Sequence, residues 1–311
     1  MRQIKITHST GICIYVAGKK SAKKIIILVL LFYIVSLCTT GVSDTTLLKQ
    51  KKVQGEKMSD LLEYKLVGDG PIKVIILHDW SVSCEGDYEY ALPFFDLKQL
   101  TMAFVDVRGY GLSKNIKGSY NTDEITADVD AVAAHLAWAK FSIVGHSMTG
   151  MAVQKIMSRL SAKVEKVVAT VPVPASGFPL DDDTFGFFAS MAHNDDAFKG
   201  GMHALTSEIY GQGWVEQKLK QNRNSVDADA MEKYLAMWSR EDFSAEVQGC
   251  ETPILVVFGS EDNEGLREAA NADKFKSWYP NYQQAVMATG HYPMIEAPVA
   301  YAKIVQDYLL S

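Results

Sequence analysis

The sequence has no excess of positive charge. Its 31 lysine and arginine residues are outnumbered by 37 aspartate and glutamate residues, which gives a formal net charge of -6. Proteins whose principal partner is a nucleic acid carry a basic footprint, so this balance argues against such a partner.

Cysteine is also scarce, and no two cysteines stand close together. The four residues are Cys13, Cys38, Cys84 and Cys250, and they form neither a CxxC pair nor a Cys/His pattern. Zinc sites and redox pairs are identified by such spacings. We therefore expect unpaired structural cysteines and assign neither a metal site nor a cofactor.

Acidic residues are missing before Asp44. Four lysines at positions 19–24 precede the almost wholly apolar run of residues 25–38. An apolar run behind positive charge is typical of an export signal or a single membrane anchor, with a cytoplasmic N-terminus and the rest of the chain on the far side. Only residues 41–43 resemble a cleavage site, which favours an uncleaved anchor and membrane association through residues 25–43.

The polar, lysine-rich residues 44–60 lack apolar periodicity and are predicted to form a linker after the signal or anchor segment 1–43. An alternative is that the true start is Met58. The chain would then consist of one compact module without the apolar segment, and the protein would be cytoplasmic.

From residue 61 to residue 311, short apolar runs alternate with helical patterns. Six runs are predicted as buried strands: 72–77, 102–105, 141–144, 164–171, 253–258 and 284–287. Apolar strands separated by helices predict an α/β domain with a doubly wound, mainly parallel sheet. The strand pattern stops over residues 177–247, which are rich in aromatic residues and predict a helical cap insertion over the edge of the sheet where ligands bind.

Residues 145–150 read Gly-His-Ser-Met-Thr-Gly and directly follow one of the predicted strands. A strand that breaks at a glycine, presents a serine and enters a helix is the geometry of a nucleophile elbow. Ser147 is therefore the candidate nucleophile. The usual pattern has glycine where this chain has Thr149, whose bulk falls where the helix approaches the strand, although Gly150 relieves part of the crowding.

A serine hydroxyl needs an adjacent base, and that base needs an orienting carboxylate. Asp262 follows the strand predicted at 253–258, and His291 follows the strand predicted at 284–287. Because each candidate comes just after its own strand, we expect all three side chains to meet at one edge of the sheet.

The order serine, acid, histidine is that of the α/β-hydrolase superfamily, and the chain from residue 61 to residue 311 resembles that superfamily. Residues 106–113 are similar to its structural Asp-x-Arg-Gly-x-Gly-x-Ser loop. Residues 290–296 are similar to the histidine loop of its serine esterases and cofactor-free perhydrolases. The resemblance implies the α/β-hydrolase fold and a serine-based active site.

By the same resemblance, the main-chain N–H groups of Trp80 and Met148 would form the oxyanion hole. Trp80 belongs to a His78-Asp79-Trp80 segment, where the family commonly has His-Gly-x. Asp79 places a negative charge near a site that must stabilise an anion, so we expect its side chain to point away or to be paired. His78 and His146 are expected to be structural.

The leading hypothesis is a serine hydrolase that cleaves a carboxylic ester or related acyl bond of a small molecule through an acyl-enzyme. Alternatives within the same fold are perhydrolysis, lactone opening and C–C bond hydrolysis. Haloalkane dehalogenase and epoxide hydrolase chemistry are disfavoured, because those enzymes have aspartate at the elbow. A hypothesis of another class, suggested by Thr149 and Asp79, is a catalytically silent member that binds an apolar ligand or a protein.

Overall fold

The computed structural model describes residues 60–311. The predicted signal or anchor segment and all but the last residue of the predicted linker lie outside the described residues, as does Met58. Among the helices of the described part, none is long and apolar enough to cross a membrane.

The described part contains one seven-stranded sheet, with strand order β1-β3-β2-β4-β5-β6-β7. The strands are β1 Tyr64–Val67, β2 Ile72–Ile76, β3 Leu100–Val105, β4 Phe141–His146, β5 Val164–Thr170, β6 Ile254–Gly259 and β7 Tyr282–Met287. β1 pairs antiparallel with β3, and every other neighbouring pair is parallel. The prediction of a doubly wound, mainly parallel α/β sheet is confirmed.

All six predicted strands are present, and each of their ends lies within two residues of the prediction. The sequence does not predict β1. This strand is four residues long and lies at the edge of the sheet, and Lys65 and Leu66 are exposed. It therefore has no continuous apolar run from which it could be identified.

Helices flank and interrupt this sheet. Outside the insertion, the longer helices are Thr122–His135, Met148–Arg159, Glu268–Trp278 and Pro298–Leu310. Between β5 and β6 the chain forms the helices Asp182–Ser190, Asp195–Leu205, Gln212–Ser225, Ala228–Arg240 and Ser244–Val247. The sequence pattern predicts helices at residues 185–191 and 230–238, which correspond to the first and fourth of these five. It misses the second, which contains two glycines, and the third, which is dominated by polar residues.

The carboxyl end of the parallel strands carries the residues of chemical interest. Asp79 and Trp80 follow β2, Ser147 follows β4, Asp262 follows β6 and His291 follows β7. Ligands of α/β proteins bind at this edge, so the topology alone brings the candidates to one region.

The helix after Ser147 approaches β4 most closely at Gly145. A Cβ atom on Gly145 would lie 2.4 Å from the carbonyl oxygen of Thr149 and 2.7 Å from Cγ1 of Val153. Real Cβ atoms do not approach backbone this closely, so only glycine lets the helix begin directly behind the strand.

We expect Gly145→Ala to lower the free energy of unfolding by about 2 kcal/mol or more, because overpacking against backbone forces the helix away from the sheet. Chemical denaturation of the purified protein measures this change. Gly186→Ala is the matched control, because Gly186 lies within a helix and a Cβ there meets nothing within 4 Å. It should be neutral or stabilise by up to about 1 kcal/mol, and equal effects of the two substitutions would contradict this account of Gly145.

Candidate active site

Ser147 lies at the sharp turn between β4 and the helix Met148–Arg159. Its backbone has φ 51 and ψ -107, a conformation that residues other than glycine rarely adopt. The Ser147 N–H donates to the carbonyl of Thr170 at 3.0 Å, and the Ser147 carbonyl accepts from the Val173 N–H at 3.2 Å. These contacts hold the serine in the strained geometry of a nucleophile elbow.

Thr149 uses its side chain as a bridge at this turn. Its hydroxyl accepts from the N–H of His146 at 3.0 Å and donates to the carbonyl of His78 at 2.7 Å. The close approach of helix and sheet is instead accommodated at Gly145, and at Gly150, where a Cβ would lie 2.8 Å from Cβ of Pro172. Threonine therefore links the elbow to the loop after β2.

The structure brings Ser147, His291 and Asp262 together. Nε2 of His291 lies 2.9 Å from Oγ of Ser147, and Nδ1 lies 2.9 Å and 3.0 Å from the two carboxylate oxygens of Asp262. A carboxylate only accepts, so Nδ1 carries the hydrogen and Nε2 is free to accept the serine proton. All three side chains are buried, with Ser147 retaining 8% exposure.

Two backbone N–H groups at the carboxyl edge of the sheet, those of Trp80 and Met148, are free to donate. Within residues 60–311, neither the Trp80 N–H nor the Met148 N–H has a hydrogen-bond acceptor. Met148 is the first residue of its helix, where backbone N–H groups have no partner within the helix. Trp80 is held on both sides, because its indole donates to the carbonyl of Met231 at 2.7 Å and its carbonyl accepts from Tyr110 at 2.8 Å.

Asp79 is paired, as expected from the sequence. Its carboxylate accepts from the N–H groups of Ser81 and Val82, each at 2.9 Å, and from the hydroxyls of Ser81 at 2.8 Å and Tyr292 at 2.7 Å. Burial by itself raises the pKa of Asp79. The charges of His146 and Lys218, with the Tyr292 and Ser81 hydrogen bonds, outweigh burial and hold the pKa below its ordinary value. Asp79 is therefore ionised at neutral pH.

His78 and His146 lie next to the site, and both ring nitrogens of each have partners. In His78, Nδ1 donates to the carbonyl of Asp79 at 2.7 Å and Nε2 accepts from the N–H of Val107 at 3.1 Å, which describes a neutral ring. In His146, Nδ1 meets the Asp87 carboxylate at 2.9 Å and Nε2 meets the carbonyl of His291 at 2.8 Å. Both ring nitrogens of His146 therefore face oxygen atoms that accept hydrogen bonds, which anchors the ring between Asp87 and the histidine loop.

Asp79, Asp87 and His146 also form a group that has the composition of a metal site. Most of their ligand atoms are engaged in hydrogen bonds. Oδ2 of Asp87 accepts from the Asp79 N–H at 2.8 Å and meets Nδ1 of His146 at 2.9 Å, whereas Oδ1 of Asp87 has no partner among the described residues. Because both ring nitrogens of His146 and both carboxylate oxygens of Asp79 already have partners, we assign no metal to this group.

The sequence does not identify Asp87, Lys218 or Tyr292 as residues near the candidate active site. Lys218 comes from the polar helix Gln212–Ser225 and is buried, with Nζ donating to the carbonyl of Gly86 at 3.0 Å and lying 4.6 Å from the centre of the Tyr292 ring. A lysine in a polar helix is normally exposed, so its sequence context gives no signal. Asp79 is the one local indication of this network in the sequence, because a carboxylate at this position requires a hydrogen-bond or charge partner.

His291 is tuned by its neighbours. Burial alone lowers the pKa of this imidazole, but the charge and hydrogen bonds of Asp262 outweigh that effect. Asp79 and Asp87 add to the increase, so the pKa of His291 lies above its ordinary value. The ring therefore binds a proton more tightly than an isolated histidine.

A cavity of about 260 Å³ opens onto Ser147 and His291. Much of its wall is apolar and is contributed by both the sheet edge and the helical insertion; it includes Trp80, Val173, Phe178, Leu180, Phe188 and Trp238. The rings of Trp80, Phe188 and Trp238 meet edge to face, with centroids 5.6 to 6.1 Å apart.

A larger, more open depression of about 540 Å³ around Ser158 and Thr252 has no histidine in its wall.

Comparison with known proteins gives the same class of fold. Residues 74–304 match the sequence profile of the Alpha/beta hydrolase family. A non-heme haloperoxidase from Rhodococcus erythropolis is 26% identical over 218 residues, covering 64% of this chain and 77% of that protein. A putative esterase/lipase from Haemophilus influenzae is 27% identical over 214 residues, covering 66% and 72%.

A solved structure, that of a bromoperoxidase from Bacillus anthracis, superposes with a TM-score of 0.68 at 22% identity, covering 79% of this chain and 93% of that one. The fold and the site define an α/β protein with a serine, histidine and aspartate at the carboxyl edge of its sheet. The chain belongs to the alpha/beta hydrolase family. Its haloperoxidase and esterase/lipase relatives support the conclusion that the protein is a hydrolase.

We expect the imidazole of His291 to titrate above about pH 6.5, the ordinary histidine value, and Asp262→Asn to move the midpoint downward. The substitution removes the charge that favours the imidazolium but leaves the burial that opposes it. NMR titration of the ring signals measures both midpoints, and the His291 signal is identified by its loss in His291→Gln. Equal midpoints in wild type and Asp262→Asn would contradict the stated cause of the shift.

Proposed function

We propose that the protein is a serine hydrolase that cleaves carboxylic esters or related acyl bonds through an acyl-enzyme. The observation that carries this proposal is the unbroken series of contacts from Oγ of Ser147 to Nε2 of His291 and from Nδ1 of His291 to Asp262. Such a series activates a hydroxyl that is otherwise a poor nucleophile.

In the first half-reaction, Oγ of Ser147 attacks the acyl carbon as His291 takes the hydroxyl proton. His291 then gives this proton to the leaving alcohol, and an ester of Ser147 remains. Asp262 keeps Nδ1 protonated and stabilises the imidazolium that forms. In the second half-reaction, His291 deprotonates a water molecule, which attacks the acyl-enzyme and releases the carboxylic acid.

The proposed oxyanion donors are the main-chain N–H groups of Trp80 and Met148. Their lack of an acceptor within the described part of the chain leaves them available for the negative oxygen of the tetrahedral intermediate. One such donor contributes about 10²- to 10³-fold to kcat, so these two amides would supply a large share of the rate.

The cavity favours a small, uncharged acyl group. Its volume of about 260 Å³ lies below the range of about 300 to 1,000 Å³ that is common for drug-sized ligands. The mainly apolar wall offers no lysine or arginine to pair with a charged substrate. Short aliphatic or small aromatic acyl groups fit these properties.

A second candidate activity uses the same acyl-enzyme. Hydrogen peroxide can replace water as the attacking group and release a peroxycarboxylic acid, with His291 taking the peroxide proton. The non-heme haloperoxidase relative favours testing this reaction. Peroxyacid formation from ethyl acetate and hydrogen peroxide, with ethanol released as the acyl-enzyme forms and no peroxyacid produced by Ser147→Ala, would support it.

We expect a fluorophosphonate probe to label the wild-type protein and not Ser147→Ala, because only an activated serine attacks the phosphorus. Hydrolysis of p-nitrophenyl butyrate should fall by about 10⁴-fold or more in Ser147→Ala and in His291→Ala. Labelling of both proteins, or of neither, overturns the assignment. A wild type that binds small esters without turnover would instead favour a catalytically silent binding protein.

We expect Phe188→Ala to shift preference toward longer acyl groups, because Phe188 is 8% exposed and closes the cavity. Relative to p-nitrophenyl butyrate, kcat/KM for p-nitrophenyl octanoate should rise by about tenfold or more, since each buried methylene contributes about 0.8 kcal/mol. Phe187→Ala is the matched control, because the adjacent Phe187 is 42% exposed and outside the cavity wall. The same ratio in both variants would show that Phe188 does not set the chain length.

A further inference from the structure

The turn after β2 distributes its backbone N–H groups unevenly. The Asp79 N–H donates to Oδ2 of Asp87 at 2.8 Å, and the N–H groups of Ser81 and Val82 both donate to Oδ1 of Asp79 at 2.9 Å. In the part of the chain that the structure describes, the Trp80 N–H is the one amide of residues 79–82 without an acceptor. The side chain of Asp79 thus fixes the residues on the far side of Trp80 while leaving the Trp80 amide free.

The second oxygen of this carboxylate ties the turn to the histidine loop. Oδ2 of Asp79 accepts from the hydroxyl of Tyr292 at 2.7 Å and from the hydroxyl of Ser81 at 2.8 Å. Tyr292 directly follows His291. One buried carboxylate therefore connects the segment of the proposed oxyanion donor with the segment of the proposed base.

A negative charge here needs compensation, because the proposed reaction develops a second negative charge beside Trp80. Lys218 supplies a positive charge from the helix Gln212–Ser225 and, after His146, is the second charge that lowers the pKa of Asp79. Burial lowers the pKa of Lys218 itself, and the nearby charges of Asp87 and Asp79 oppose that effect. Its ammonium lies over the Tyr292 ring at 4.6 Å, and it is the Tyr292 hydroxyl that donates to Asp79. Replacement of a buried charge partner leaves the other charge uncompensated.

We propose that Asp79 is a positioning residue that holds the turn of residues 79–82 with the Trp80 N–H directed at the oxyanion, and that Lys218 is its counter-charge. The inference rests on the proposed function, since it assigns a task to the oxyanion donor of that reaction. It also accounts for an aspartate where glycine is common in the family, because glycine offers no acceptor to the amides of Ser81 and Val82.

The test compares Asp79→Ala with Asp79→Asn in the full chain, using p-nitrophenyl butyrate. Asparagine keeps Oδ1 for the two amides and places its NH₂ group against two hydroxyls that can accept, whereas alanine removes every contact. We expect Asp79→Ala to lose about 10²-fold in kcat with KM changed by less than about threefold, because an oxyanion contact acts in the transition state. Asp79→Asn should stay within about tenfold of wild type.

Asp106→Ala is the matched control for structural damage. Asp106 is also a buried aspartate whose carboxylate accepts from two amides, those of Cys84 and Leu112, each at 2.9 Å, but it bonds to none of residues 79–82. It should lower Tm as Asp79→Ala does without a selective loss of kcat. An equal loss of kcat in Asp106→Ala and Asp79→Ala, or wild-type kcat in Asp79→Ala, would overturn the proposal.

Lys218→Met tests the counter-charge. In wild type it should lower kcat by about tenfold, because the Asp79 charge is then left to oppose the oxyanion. In Asp79→Asn the same change should lower kcat less than threefold. If Lys218→Met lowers kcat equally in wild type and in Asp79→Asn, Lys218 is not the counter-charge of Asp79.

A failure of the proposed function is distinguishable from a failure of this inference. If wild type neither turns over esters nor reacts with a fluorophosphonate, the reaction itself is wrong and the positioning role falls with it. If wild type is active and only the Asp79 variants behave otherwise than stated, the reaction stands and the positioning role is wrong. Hydrogen exchange of residues 79–82 should accelerate in Asp79→Ala and not in Asp79→Asn, and unchanged exchange contradicts the positioning role independently of activity.

Discussion

The hydrogen bond between Oγ of Ser147 and Nε2 of His291 is the contact on which the site depends. It joins residues 144 positions apart in the chain, and it forms only because β4 and β7 run parallel and end at the same edge of the sheet. Two further strands, β5 and β6, lie between them, so the loops must reach across the sheet. The strained backbone positions the Ser147 side chain, and the hydrogen bond to Asp262 positions the His291 ring. Together they bring Oγ of Ser147 within hydrogen-bond distance of Nε2 of His291.

Around that contact the protein buries several ionisable groups that the proposed reaction does not use. Asp79, Asp87, His146 and Lys218 are all buried within or beside the segments that carry Trp80, Ser147 and His291. Burial of an unpaired charge is costly, so these groups persist because they bond to one another, to backbone and to the Tyr292 hydroxyl. The network connects four segments that are distant in the sequence and makes the site and the helical insertion mutually dependent.

The sheet and the meeting of the three candidate side chains, Ser147, Asp262 and His291, could be predicted from the sequence because their signals are local. A buried parallel strand is a continuous apolar run, and a candidate residue placed just after such a run has its position in the fold fixed by topology. β1 has no such run, since it is a short edge strand with exposed residues. The helix that carries Lys218 lacks a clear apolar face, and the hydrogen bond of the buried Lys218 ammonium is to the carbonyl of Gly86, which lies more than a hundred residues away in the sequence.

The departures from the family pattern show why single positions are hard to interpret without the fold. Thr149 looks like added bulk in the sequence, yet in the structure its hydroxyl bonds both His146 and His78. Asp79 looks like an unfavourable charge, yet its carboxylate organises the turn around Trp80. In both cases the structural role of the residue depends on hydrogen-bond partners from other strands and loops.

The proposed reaction requires that a covalent acyl intermediate form on Ser147. The most direct measurement is rapid acid quenching of the protein during turnover of a p-nitrophenyl ester, followed by mass spectrometry of its peptides. We expect one acyl group on the peptide that contains residues 145–150, attached at Ser147. An acyl group on a different residue, or ester turnover that leaves no acylated peptide even in the variant Asp262→Asn, would contradict it.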